Sequence, residues 1–128
     1  MLKVFLDAGH GGHDPGALGD GMREKDIALS VVLKTGYILK EHGVQVEYSR
    51  IDDIYLSPAD RAIKANRLDA DLFISVHCNA FTTELAKGIE TFSYIGSVKG
   101  AKLSEDIQDS IISSGAYTLD RGTKTSNF

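Results

Sequence analysis

In the run DLFISVH, residues 71–77, every residue from Leu72 to Val76 except Ser75 is apolar, and the run stops on a histidine. A half-exposed strand alternates apolar and polar residues, and an amphipathic helix spaces its apolar residues by three and four, so neither has this pattern. A strand covered on both faces does, and such strands belong to parallel sheets clad by helices. The run therefore reads as the central strand of a sheet, and its neighbours must come from the rest of the chain. At 128 residues the chain is long enough for one domain that buries most of its apolar surface without staples.

The remaining elements follow in order. LKVFLD, residues 2–7, is a short apolar run that ends before Gly9. Residues 8–23 are glycine-rich and without period, a loop longer than ordinary strand-to-helix connections and so a candidate functional segment. From Glu24 the apolar residues Ile27, Val31, Leu33, Ile38 and Leu39, with Ala28 and Val32, recur at helical spacing until Gly43 supplies a stop. VQVEYSR, residues 44–50, alternates as a strand does, and SPADRAIKANR opens a second helix with Ser57 as N-cap and Pro58 at the first helical position. GIETFSYI, 88–95, predicts another strand, and the spacing of Leu103, Ile107, Ile111 and Ile112 predicts a helix over 98–115. The final AYTLDRGTKTSNF has no pattern that closes a domain. This order predicts an α/β fold, a three-layer, twisted, mostly parallel sheet flanked by helices, as a single domain over 1–128.

Bulk properties exclude several function classes. The formal charge is −4 and no Lys/Arg cluster appears, which argues against a nucleic-acid partner. No apolar run is long enough for a membrane span. Cys78 is the single cysteine, so no internal disulfide forms. MLKVFLDAGH enters a strand within three residues, which leaves no room for a secretory signal.

Two histidines stand at the carboxyl ends of predicted strands, His10 past the first and His77 closing the most apolar one. Ligands of open α/β sheets bind at that edge. Glu24 opens the first helix after the long loop, which has the length to fold back toward both imidazoles. Two His and one Glu, with a fourth position left to water, make a catalytic zinc set. Each residue also has an ordinary reading: a strand-end histidine packs or caps, and a glutamate in the first helical turn favours the helix dipole. His13 and His42 read as a loop residue and a last-turn residue, and Asp7, Asp14, Asp20 and Asp26 as turn and cap residues. Gly9, Gly11 and Gly12 suggest a phosphate cradle only weakly, because Pro15 and a further stretch separate them from the helix start. Cys78 and His77 are adjacent on a strand and point to opposite faces, so they form no thiolate couple, whereas Asn79 returns to the His77 side.

As a set, LDAGHGGHDPGALG, REKD before an amphipathic helix, SRIDD, RAIKAN and ADLFISVHCNA resemble, in order and spacing, the zinc-dependent N-acetylmuramoyl-L-alanine amidases of the type 3 family. The resemblance spans almost the whole chain. It implies one Zn2+ per chain held by His10, Glu24 and His77, a cleft lined by Asn79, and peptidoglycan as substrate. The bond cut in such enzymes is the amide between the lactyl group of N-acetylmuramic acid and L-alanine. The implied chemistry is metal-assisted hydrolysis, with the pKa of water lowered from about 15.7 towards about 7 and a carboxylate acting as general base.

In the family that second glutamate lies on a final strand with a pattern like V-E-x-G-F. LDRGTKTSNF matches the approach to it, but the chain ends at Phe128, so no general base is identified and it is expected beyond that residue. Nothing in the spacing recommends Glu90, the acid that follows His77 on the next strand, as a substitute. Three explanations compete: a fragment of a longer enzyme lacking the final strand and helix, a non-catalytic zinc-containing muropeptide-binding module, or a base supplied by another residue or a partner subunit. A missing strand would expose a sheet edge and predicts a dimer or strand exchange. The expected place of action is the bacterial cell wall, extracellular or periplasmic, for a phage-released lysin, an excised catalytic domain or a sporulation enzyme. A zinc carboxypeptidase or deacetylase fits less well, because neither H-x-x-E nor H-E-x-x-H matches the order of the three ligands.

Overall fold

The computed structural model describes residues 1–78 and 88–128. Its elements in chain order are β1 (Lys3–Ala8), β2 (Leu18–Gly19), β3 (Met22–Arg23), α1 (Glu24–Glu41), β4 (Gln45–Tyr48), α2 (Pro58–Arg67), β5 (Leu72–Val76), β6 (Ile89–Tyr94), α3 (Val98–Ser113) and β7 (Asp120–Ser126). They fall into two compact units, Met1–Ala80 and Phe81–Phe128. The α/β class with a parallel sheet and three helices is the one read from the sequence.

In the first unit β1 pairs in parallel with β4 on one side and β5 on the other, giving the order β4-β1-β5. Alternation along β1 sends Val4, Leu6 and Ala8 to one face, where they meet Ala28 and Val32 of α1 and Val46 of β4 in the buried core. Ile74 and Val76 of β5 pack against the rim of that cluster. On the opposite face Phe5 stacks on Phe73, ring centroids 5.3 Å apart, and Asp7 meets Arg61 of α2. The sheet of this unit therefore carries a helix on each face.

Two expectations change here. Within the described sheet the centre is β1, not β5, and Phe73 is half exposed. An apolar run reports that faces are covered, whereas the central place depends on which strand finds a backbone partner on each side. The buried stripe of α1 is also not its large residues: Val31, Leu33 and Ile38 are exposed, and Ala28, Val32 and Gly36, four residues apart, face inward. Small residues serve because the helix lies close to the sheet. A Cβ on Gly36 would fall 2.1 Å from the Tyr48 hydroxyl. Ser57 caps α2 by accepting the Asp60 N–H, with Pro58 at the helix start, as the sequence predicts.

The second unit is a β-α-β arrangement in which β6 and β7 pair in parallel across α3. Residues 120–126, unpatterned in sequence, become a strand because β6 offers them a backbone ladder, and a polar network ties the pair to the helix. Gln108 of α3, buried, accepts from the Thr91 hydroxyl and donates to Ile89 O and Asp120 Oδ1. The Gln108 amide first, and then the Gly122 N–H, hold the Asp120 carboxyl below its ordinary value of 3.8. A depressed carboxyl pKa stabilises the fold above the unfolded value and loses that contribution as pH falls through the folded one. Asp120→Asn is therefore expected to lower the urea midpoint at pH 6, and the difference from the parent should shrink as pH drops below 3.8. A difference that stays constant with pH would show that the charge contributes nothing. Among the described residues no helix is long and apolar enough to cross a membrane.

Candidate metal centre

Strands β1 and β5 end level with one another. Ala8 and Val76 are register partners, and the Gly9 N–H extends the ladder by donating to Val76 O at 3.1 Å. The next residues on each chain segment therefore leave the same sheet edge, and the rings of His10 and His77 meet edge to face with centroids 5.0 Å apart. This approach needs glycine at position 9, where a Cβ would lie 2.4 Å from His77 Cε1. His10 itself takes a left-handed backbone, φ 62°, which turns the chain off the strand.

The long loop then returns through the β2–β3 hairpin and delivers Glu24 as the first residue of α1. No side chain caps this helix. Instead the loop supplies carbonyls: Ala17 O accepts the Glu24 N–H and Pro15 O the Lys25 N–H. The Glu24 side chain is buried, with Oε1 3.1 Å from His10 Nε2 and 3.2 Å from His77 Nδ1. Its orientation is set by two backbone donors, Cys78 N–H on Oε1 at 2.9 Å and Ala17 N–H on Oε2 at 2.8 Å. Burial pushes the Glu24 pKa up, but the Ala17 and Cys78 N–H groups together with His10 and His77 outweigh it, and the carboxyl lies below its ordinary value.

One donor atom from each of His10, Glu24 and His77 lies within 4.8 Å of the others. Two imidazoles and a carboxylate match the donor set of a catalytic zinc site. The loop is shaped around these atoms too: a Cβ on Gly16 would fall 2.6 Å from His10 Cδ2 and 2.7 Å from Glu24 Oε2. The residues present fit a zinc ion.

Several side chains that the sequence reading gave no part hold the loop. Arg61 donates to Asp7 Oδ1 at 2.8 Å, to His10 O at 2.7 Å, and to Ala8 O and Leu56 O, while the Ser75 hydroxyl completes Asp7. Arg50, almost wholly buried, donates to Ala8 O, Gly9 O, Lys25 O and Asp52 O. Lys25 reaches Gly12 O and Asp53. Asp14 stands 2.8 Å from His10 Nδ1. Apart from Arg50 to Asp52 O, Arg61 to Leu56 O and the Asp14 contact, these bonds join residues at least 13 positions apart, so no local signal marks them.

The other sequence candidates disperse. Asn79 lies outside the described residues. His13 packs its ring against Tyr55, and His42 bonds Ile38 O at the end of α1. Asp20 sits in a turn with positive φ, and Asp26 pairs with Arg23. Burial, and then Glu24, push the Cys78 thiol pKa up, so it stays a thiol. Glu90 is paired with Lys124 and Arg121 in the second unit.

Residues 4–128 match the family profile described as N-acetylmuramoyl-L-alanine amidase. The chain is 41% identical to the endolysin of Bacillus phage SPP1 over 97% of its own length and 47% of that protein. It is 39% identical to the sporulation-specific N-acetylmuramoyl-L-alanine amidase of Bacillus subtilis strain 168, over 100% of this chain and 50% of that one. The solved N-acetylmuramoyl-L-alanine amidase from Clostridium difficile 630 superposes with a TM-score of 0.93 at 37% identity, covering 99% of this chain and 70% of the other. The chain spans about half the length of these curated relatives. A profile matched from β1 to the last residue, together with a shared fold around the His10, Glu24 and His77 cluster, places this chain in the N-acetylmuramoyl-L-alanine amidase family.

Proposed function

We propose that this chain is a zinc amidase of the bacterial cell wall, hydrolysing the amide between N-acetylmuramic acid and L-alanine in peptidoglycan. The observation that carries the reading is the convergence of His10, Glu24 and His77 at the carboxyl edge of the sheet, within 4.8 Å of one another. These three residues would hold one Zn2+, which supplies Lewis acidity to the scissile carbonyl and to water when bound. Glu24 acts as a ligand rather than as a mobile base, because both of its oxygens are already held by backbone N–H groups. The half-exposed His77 leaves one side of the centre open to a substrate from solvent. Asn79, two residues on and past the strand end, belongs to the same proposal as a substrate-binding residue of the cleft. Residues 1–128 would act as one catalytic domain. Self-association through a sheet edge belongs to the same proposal, its test the oligomeric state in solution.

The test is digestion of purified peptidoglycan by the zinc-loaded chain, with products identified by mass. New L-alanine amino termini and glycan strands bearing free lactyl carboxylates are the expected products. Retention on the wall without new amino termini would overturn the enzyme reading in favour of a muropeptide-binding module, and loss of acetate would point to a deacetylase.

A further inference from the structure

The loop HGGHD, residues 10–14, closes on itself: the Gly11 N–H donates to Asp14 O at 2.9 Å and the Asp14 N–H to Gly11 O at 3.0 Å. His10, Gly11 and Gly12 all have positive φ, so the chain curls tightly enough to bring Asp14 back under the ring of His10. Asp14 Oδ2 then lies 2.8 Å from His10 Nδ1, while Asp14 Oδ1 accepts the Gly16 N–H at 3.1 Å. On the other side of the same ring, Nε2 faces Glu24.

We propose that Asp14 is the positioning residue of the metal centre, fixing the tautomer and rotation of His10 so that Nε2 offers a lone pair beside Glu24 and His77. The inference rests on the zinc reading above. With zinc on Nε2 beside Glu24, the one ring proton is on Nδ1, and the nitrogen that carries it is the one facing Asp14, whose carboxylate only accepts hydrogen bonds. A neutral imidazole has one N–H, and a proton on Nδ1 leaves Nε2 bare, the form that a metal requires. The carboxylate also makes Nε2 a stronger donor, and such partners of ligating histidines are worth about 10–100-fold in metal affinity. Among the described residues Glu24 and His77 have no equivalent arrangement: Glu24 is oriented by backbone donors, and Nδ1 of His77 faces Glu24 itself.

Two variants separate this role from simple loop-holding. Asp14→Ala removes every side-chain bond. Asp14→Asn keeps an oxygen for the Gly16 N–H but turns an NH2 group toward His10, which demands the opposite tautomer, with the proton on Nε2. Both are expected to weaken zinc binding about 10–100-fold in competition with a chromophoric chelator, while Asp14→Asn leaves the melting temperature of the zinc-free protein unchanged. A slowly exchanging His10 Nδ1–H proton resonance is expected in the zinc-loaded parent and lost in Asp14→Ala. Zinc affinity equal to the parent in both variants would overturn the role of Asp14 alone. So would a weakening in Asp14→Asn matched by a lower melting temperature of the zinc-free form. If Asp14→Ala does not fold, Asp14→Asn decides the matter. A parent that binds no zinc would instead refute the metal centre, and the Asp14 role with it.

Discussion

Replacing His77 by alanine is expected to empty the metal centre and bring hydrolysis of peptidoglycan down to the level of chelated protein, while the chain stays folded. Half of the His77 side chain is exposed, and the ring sits past the end of β5 rather than in the core. Its loss should therefore cost less than about 1 kcal/mol of stability, as for other substitutions outside packed cores. Its loss to the site is far larger. Only His10 and Glu24 would remain of three donors, and zinc chemistry of this kind uses three protein ligands with one position open. Metal content after dialysis should fall from about one zinc per chain to near none, with the thermal transition of the zinc-free form unmoved. Full zinc content in His77→Ala would refute the assignment of this residue, whatever the activity.

Arg61→Ala should have the largest effect on stability, about 3–5 kcal/mol, the usual consequence of removing one partner of a buried ion pair. Arg61 and Asp7 are both almost fully buried, and the guanidinium serves more than the carboxylate. Without it, among the described residues Asp7 keeps only the Ser75 hydroxyl, and the carbonyls of Leu56, Ala8 and His10 each lose a donor. The last loss reaches the metal centre, because His10 holds a left-handed backbone that Arg61 ties down from α2. Zinc affinity should therefore fall together with the urea midpoint. Arg61→Lys keeps the charge and forfeits the planar fork, so it should lie between the parent and Arg61→Ala. Stability within 1 kcal/mol of the parent for Arg61→Ala would show that the pair and its carbonyl bonds add little net free energy. A single unfolding transition of the parent in the same experiment would support one catalytic domain over 1–128.

Much of the fold was legible because local pattern and chain order were enough. The strand LKVFLD, the helix opening at Glu24, the Ser57-Pro58 helix start and the α3 spacing all appear where periodicity and capping place them. Element order then brought His10 and His77 to one sheet edge. Burial was not legible: large residues of α1 face outward, and within the described sheet β1 rather than β5 takes the central place. Periodicity locates a face, but which side chains fit beneath it depends on how closely the helix approaches, here close enough to require Gly36 over Tyr48. β7 escaped notice because its polar residues become a strand only through the ladder that β6 provides.

The sequence by itself determined the α/β class, the three metal-ligand candidates and the resemblance to amidases, since each rests on residue type, spacing and order along the chain. Only the tertiary structure decided how the ligands are held. Asp14 reads as a turn residue until the glycine loop curls it under His10, and nothing local to Arg50 and Arg61 places their guanidinium groups on carbonyls at the end of β1. Those bonds join residues 41 to 53 positions apart for the arginines, and the Asp14 contact needs three successive residues with positive φ. Local propensity carries no term for either, because both exist only after strand pairing and loop closure have brought the partners together.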